Sequence, residues 1–263
     1  MKNGVLYVAT GEDLISEARK SAESVRLHMN NTPIGIVTDE SQEPTGFDTV
    51  VYIDNPEHGF KDKIQGMLQS PYERTVYLDT DTYVAEAINE LFDMLDRFDI
   101  AATHNPNRNL HTNINLGVPQ SFPEYNTGVV AFKKQPTTEL FNQWQKLYKT
   151  DHRGDQPSFR RVLYDSNLRL ATLPREYNYL PRYPEHIVKD VKIFHGRLID
   201  IDTQGASIGS EIRKIVSDVN VGDGHRLYYS GGVPVSFFIP RVKRSIRQRG
   251  ILGSIQRVLN KYK

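Results

Sequence analysis

The sequence predicts an α/β protein with a Rossmann-like, mostly parallel central sheet flanked by helices. Two observations lead there. Short apolar runs alternate with amphipathic stretches through the first half of the chain, the pattern of strands joined by crossover helices. One of those runs also ends in paired carboxylates, and open α/β sheets bind ligands outside the carboxyl ends of their strands.

The elements follow in order. Residues 5–10, VLYVAT, read as a buried strand. Residues 12–28 form a helix with Leu14, Ala18, Ala22 and Val25 on one face. Residues 34–38 and 50–53 are strands, and a short helix covers 64–68. Residues 75–79 are a strand, and Ile88, Leu91, Phe92 and Leu95 mark a helical stripe. Strands follow at 100–103 and 129–132. Leu140, Phe141, Trp144 and Leu147 mark the next helix. Residues 155–164 form another, with Asp155 as its N-cap and Pro157 in the first turn. Late strands lie at 168–173 and 191–194. Residues 105–125 are polar and aperiodic, and read as a long loop near the site.

Composition narrows the chemistry. The 263 residues contain no cysteine, which excludes disulfides, zinc–thiolate sites and thiol nucleophiles. The first residues lack the long apolar stretch of a signal peptide, and no window reaches the length of a membrane span. The expected location is therefore cytoplasmic. The net charge of +1 hides an asymmetry. Beyond Asp223 there are nine basic residues and no acidic one, whereas residues 1–223 hold 24 basic against 32 acidic. This divides the chain into a main domain, 1–235, and a basic tail, 236–263. Ile251, Ile255, Val258, Leu259 and Tyr262 share one helical face of the tail. A basic amphipathic helix fits an anionic membrane surface, which would make the protein peripheral at the inner membrane face. Nucleic acid is not expected as a partner, because the acidic body would be repelled by phosphate.

The segment that carries chemistry is TVYLDTDTYV, residues 75–84. An apolar strand delivers Asp79 and Asp81 to its carboxyl end. Two carboxylates at this spacing address one hard divalent cation, Mg²⁺ or Mn²⁺, and leave positions open for phosphate oxygens. Such an ion would stabilise charge developing on a departing diphosphate.

TVYLDTDTYV resembles the DxD segment of GT-A glycosyltransferases, most closely the family-8-like retaining enzymes. Four further pieces fall in matching order. YVATGED (7–13) resembles the loop that holds the nucleoside. FPEYNTGVVAFKK (122–134) resembles the strand whose Asn lies beside the donor sugar. GDQPSF (154–159) resembles the Asp-Gln pair of the sugar pocket. IFHGR (193–197) resembles the late strand whose His completes the metal site. The resemblance spans residues 5 to about 197. It implies a GT-A fold and transfer of a sugar from a nucleotide-diphosphate donor, with UDP favoured, to a glycan or lipid-linked acceptor. It also implies that Asp79, Asp81 and His195 bind Mn²⁺ or Mg²⁺. Asn126, Asp155 and Gln156 would face the sugar. Ala9, Thr10 and Asp39 would lie near the nucleoside, with Lys63 against sugar or phosphate.

One departure stands out. The family's Lys-Pro-Trp after the His is replaced by Gly196-Arg197, and Arg197 is expected to grip the diphosphate instead. The resemblance leans towards retention, in which the leaving phosphate takes the acceptor proton. An inverting course would need a base, and Asp155 is the candidate. Two other readings compete. A sugar nucleotidyltransferase would carry a Gly-rich basic loop after the first strand, but Ala9-Thr10-Gly11-Glu12 offers one glycine and an acid. A non-catalytic sugar-binding or scaffold protein on the same fold is the other.

Overall fold

The computed structural model describes residues 2–39, 44–106, 116–148, 154–181, 183, 185–196, 210–220 and 224–228. The first half alternates as expected. β1 (Asn3–Val8), α1 (Glu12–His28), β2 (Ile34–Thr38), β3 (Thr49–Tyr52), α2 (Phe60–Leu68) and β4 (Arg74–Leu78) lead to β5 (Thr82–Val84) and α3 (Glu90–Met94). Then come β6 (Ile100–His104), β7 (Tyr125–Lys133), α4 (Lys134–Leu147), α5 (Gln156–Asp165) and β8 (Leu170–Thr172). β9 (Glu185–Ile187), β10 (Ile193–His195), α6 (Ser210–Val219) and β11 (Arg226–Tyr228) complete the described elements.

Seven strands form the central sheet in the order β3-β2-β1-β4-β7-β6-β8. β3, β2, β1 and β4 are mutually parallel, as are β6 and β8. β7 runs antiparallel to both β4 and β6. The expectation of a mostly parallel sheet therefore holds, with one reversed strand at its centre. That reversal brings the start of β7 to the same rim as the ends of β4 and β6.

Side chains alternate across the sheet with the period of two that strands impose. Val5, Tyr7, Val76, Leu78, Val129 and Ala131 pack with Ala18, Ala22 and Val25 of α1 and Leu91 of α3. Leu6, Tyr77, Val130 and Phe132 face the other way, onto Ile64 and Met67 of α2, Leu140 and Trp144 of α4 and Phe159 of α5. Both faces are covered, which is why these strands read as continuous apolar runs. A smaller cluster of Tyr179, Ile187, Phe194, Ile212 and Val219 lies beside the paired strands β5 and β10.

Some boundaries differ from the sequence reading. α4 begins at Lys134, six residues before its first buried apolar marker, because its first turn is polar. α3 is a five-residue turn of helix rather than the longer stripe. Asp155 occupies the N-cap position of α5, but its side chain makes no capping hydrogen bond. The expected cap is not made, because that carboxylate bonds Thr127 and Lys63 instead. Among the described residues no helix is long and apolar enough to cross a membrane. Arg197, the tail 236–263 with its boundary at 235, and residues 107–115 of the long loop lie outside the described residues.

Candidate active site

One cavity of about 670 Å³ opens at the rim where β1, β4 and β6 end and β7 begins. That volume is in the range of sites for small-molecule ligands. Its lining includes Thr10, Lys63, Asp79, Asp81, Asn126, Asp155, Gln156 and His195. Eight of the ten residues singled out from sequence thus meet on one surface. Ala9 and Asp39 are not among the lining residues. Ala9 is buried in the core and donates its N–H to Val37. Asp39 accepts the Gly11 N–H at 2.6 Å and so shapes the turn after β1.

Asp79 follows directly on β4 and is anchored by its N–H to the Gly128 carbonyl at 2.7 Å. One oxygen accepts from the Tyr77 hydroxyl at 2.7 Å and pairs with the Lys63 ammonium at 2.9 Å. The other lies 3.6 Å from His195 Nε2, and Asp81 Oδ1 lies 3.3 Å from the same nitrogen. Donor atoms of Asp79, Asp81 and His195 all fall within 4.8 Å of one another. β5 and β10 make this possible, because their antiparallel pairing sets Thr82 opposite His195. Two carboxylate oxygens and one imidazole nitrogen are a donor set that fits a divalent cation.

The His195 ring is aimed from behind. Its Nδ1 sits 2.8 Å from Asn178 Oδ1. The Asn178 amide in turn donates to Asn126 Oδ1 at 2.8 Å and to Thr103 Oγ1 at 3.1 Å. Asn126 Oδ1 also accepts the Gly128 N–H at 2.9 Å. Gly128 lies within β7, and the imidazole rests on its Cα. A Cβ there would collide with the ring, meeting Nδ1 at 2.7 Å and Nε2 at 2.8 Å. Only glycine admits the ring this closely.

Asp155 is turned towards the cavity instead of capping α5. Its Oδ2 accepts from Thr127 Oγ1 at 2.7 Å and pairs with Lys63 at 3.2 Å. The Trp144 indole donates to the Asp155 carbonyl at 3.1 Å, which fixes the start of α5 against α4. Lys63 therefore lies between Asp79 and Asp155, reached from α2 and steadied by Thr127 at 3.1 Å. Burial pushes its ammonium down, but Asp155 and Asp79 outweigh this and hold it above the ordinary lysine value. Burial likewise pushes Asp79 up, yet Lys63, then His195 and Tyr77, hold it well below the usual carboxylate range. Burial also pulls the His195 imidazole down, while Asp81 and Asp79 raise it to about 9.

Several partners escaped the sequence reading. Asp62 on α2 accepts from Thr10 Oγ1 at 2.8 Å and from the N–H groups of Glu57 and His58 at 2.8 and 2.7 Å. It thus holds a rim loop in which His58 has a φ of 53°, an uncommon conformation for a non-glycine residue. Tyr77 was detectable, since it lies on β4 two residues before Asp79, the spacing that turns two side chains to the same side of an extended chain. Asn178 carries no local signal, because its partners lie 17 to 75 residues away in sequence, and the bond of Asp62 to Thr10 spans 52 residues.

The sheet order, with its reversed strand and carboxylate pair at the rim, defines the GT-A fold. Solved structures share it, among them the following three. An active-site mutant of LgtC matches with a TM-score of 0.56 at 14% identity, over 82% of this chain and 95% of that one. The glycosyltransferase GlyE of Streptococcus pneumoniae matches with a TM-score of 0.53 at 17% identity, over 84% of this chain and 62% of that one. The galactosyltransferase LgtC, solved with donor and acceptor sugar analogues, matches at 0.50 and 12% identity, over 90% and 99%. No family model matches the sequence, and no curated protein matches it.

Proposed function

We propose that the chain is a metal-dependent glycosyltransferase that moves a hexosyl group from a nucleotide-diphosphate sugar, UDP favoured, to a glycan or lipid-linked acceptor. The observation that carries this reading is the convergence of a metal-type triad with the Lys63–Asp155 pair in one cavity. The fold it shares with glycosyltransferases supports the same conclusion.

Asp79, Asp81 and His195 would hold Mn²⁺ or Mg²⁺. The two carboxylates suit either ion, and the imidazole favours Mn²⁺. The bound ion would supply Lewis-acid stabilisation of the departing diphosphate. The protein's own groups would do the rest. Lys63 places a fixed cation beside the carboxylates, where a phosphate or sugar oxygen can accept from it. Asn126 presents its amide to the cavity in one orientation, because its oxygen is already engaged by Asn178 and Gly128. Gln156 and Asp155 face the sugar. Asp155 is engaged by Lys63 and Thr127 through Oδ2, which suits a positioning role better than that of a base. This favours the retaining course. Thr10 would line the nucleoside end.

The direct test is a thermal-shift panel of UDP, GDP, CDP, TDP and ADP, each with and without Mn²⁺. A ligand that binds only the native state raises stability by mass action. Stabilisation by one nucleotide in the presence of metal alone is expected. No stabilisation by any of them would remove the reading. For the tail, residues 236–263, we propose docking to an anionic membrane surface. Co-sedimentation with phosphatidylserine vesicles should occur at low salt, fade at high salt and vanish on deleting the tail.

A further inference from the structure

Glu124 is fully buried immediately before β7 and lies outside the lining of the cavity. It nevertheless holds Asn105, which does line the cavity, at two points. The Asn105 N–H donates to the Glu124 carbonyl at 2.7 Å. The Asn105 side-chain amide donates to Glu124 Oε1 at 2.6 Å. The second hydrogen of that same amide goes to Gln156 Oε1.

This chain has a direction. A carboxylate oxygen accepts and cannot donate, so Asn105 must turn its NH₂ towards Glu124. The NH₂ then also faces Gln156, which must answer with its oxygen. The Nε2 donors of Gln156 are left to address the cavity. Glu124 Oε2 has no hydrogen-bond partner among the described residues. Burial raises the Glu124 carboxyl to about 7, helped by Asp155 and opposed by Asn105 and Arg160. A proton taken on Oε2 leaves Oε1 a carbonyl acceptor, so the direction is the same in either state.

From this geometry we infer that Glu124 is a positioning residue: acting through Asn105, it fixes which end of the Gln156 amide faces the donor sugar. The inference rests on the glycosyl-transfer reading for its consequence, but not for its geometry. Glu124→Gln keeps size and shape yet offers either an oxygen or an NH₂ to Asn105, so the direction is no longer fixed.

The test has two arms. In side-chain amide ¹H–¹⁵N spectra of the full chain, the Asn105 and Gln156 NH₂ signals should be dispersed and slow to exchange. In E124Q they should move towards the values of exposed amides. Unchanged signals would overturn the inference whether or not the protein turns over. In the kinetic arm, kcat for UDP-sugar hydrolysis or transfer should fall about tenfold in E124Q, the size of one hydrogen bond lost from the transition state. UDP affinity with Mn²⁺ should stay the same. In a Gln156→Met background, E124Q should have no further effect. An equal loss with and without Gln156 would show a merely structural role and overturn the inference. If E124Q does not fold, Gln156→Met alone must reproduce the tenfold loss, and wild-type turnover in that variant would sink the idea. A wild-type protein that turns over no nucleotide sugar would count against the proposed function alone, since the spectra still decide the role of Glu124.

Discussion

Gly128→Ala tests the construction of the metal-type triad without touching a ligand. The added methyl would overlap the His195 ring, with Nδ1 and Nε2 only 2.7 and 2.8 Å away. Overpacking of this kind costs about 1–3 kcal/mol. Moving the ring also breaks the 2.8 Å contact with Asn178, worth about 1 kcal/mol more. A total near 3 kcal/mol corresponds to a fall of ~6–12 °C in Tm. The same motion carries Nε2 away from Asp81, so Mn²⁺-dependent UDP binding should weaken at least about tenfold. Gly4→Ala is the control. Its methyl would meet the buried Tyr72 ring at 2.5 Å on β1, with a similar loss of stability and no residue of the triad disturbed. The assay is urea unfolding for both variants, followed by UDP titration with and without Mn²⁺. If Gly128→Ala loses no more metal-dependent binding than Gly4→Ala, the ring of His195 is not held by that strand for a ligand's purpose.

Three further outcomes are expected. Asp79→Asn combined with Asp81→Asn should abolish metal-dependent donor binding while far-UV circular dichroism stays native; wild-type turnover in the double variant would refute the site. Lys63→Met removes the cation between the Asp79 and Asp155 carboxylates, so urea unfolding should show a loss of about 3–5 kcal/mol, and a loss below about 1 kcal/mol would show that the ammonium is dispensable. Glu124 and Glu185 are both raised to about 7, chiefly by burial, with Arg160 and Arg175 opposing and Asp155 and Glu176 assisting. A raised folded-state value means that stability from these groups is full below the unfolded carboxylate value and is lost as pH climbs through about 7. Replacing both by Gln should therefore flatten the fall in stability between about pH 4.5 and 7, measured by unfolding at each pH.

Much of the sheet was legible because both of its faces are covered. Burial on two sides makes β1, β2 and β4 continuous apolar runs, which a single pass along the chain detects. The same condition hides strand direction, since a reversed strand buried on both faces reads like a parallel one. β7 was therefore recognised from its pattern only at its apolar centre, 129–132; Tyr125 was left to the preceding loop, and Asn126 and Thr127 were joined to the strand only by the family resemblance. Asp79 and Asp81 were legible because they stand two residues apart at a strand end, whereas His195 was reached only through the resemblance of IFHGR to a family's late strand. Asp155 was placed correctly in sequence but given the wrong local partner, because its hydrogen bonds are to Lys63 and Thr127 rather than to its own helix. Glu124, Asn178 and Asp62 were not legible. Their value lies in pairings across the fold, and each is an ordinary polar residue in its own neighbourhood.

The backbone bond from Asn105 to Glu124 closes the two ends of the segment between β6 and β7 onto each other. What happens to chain length inside that clamp is then uncoupled from the register outside it. Closure cost grows slowly with length, about 0.6 kcal/mol per doubling. A change of length before residue 116 would thus leave Asn126, Thr127 and Gly128 at the same depth, the more so because Arg160 and Arg161 of α5 tie down the carbonyls of Leu116, Pro119 and Phe122 on the way back to the clamp.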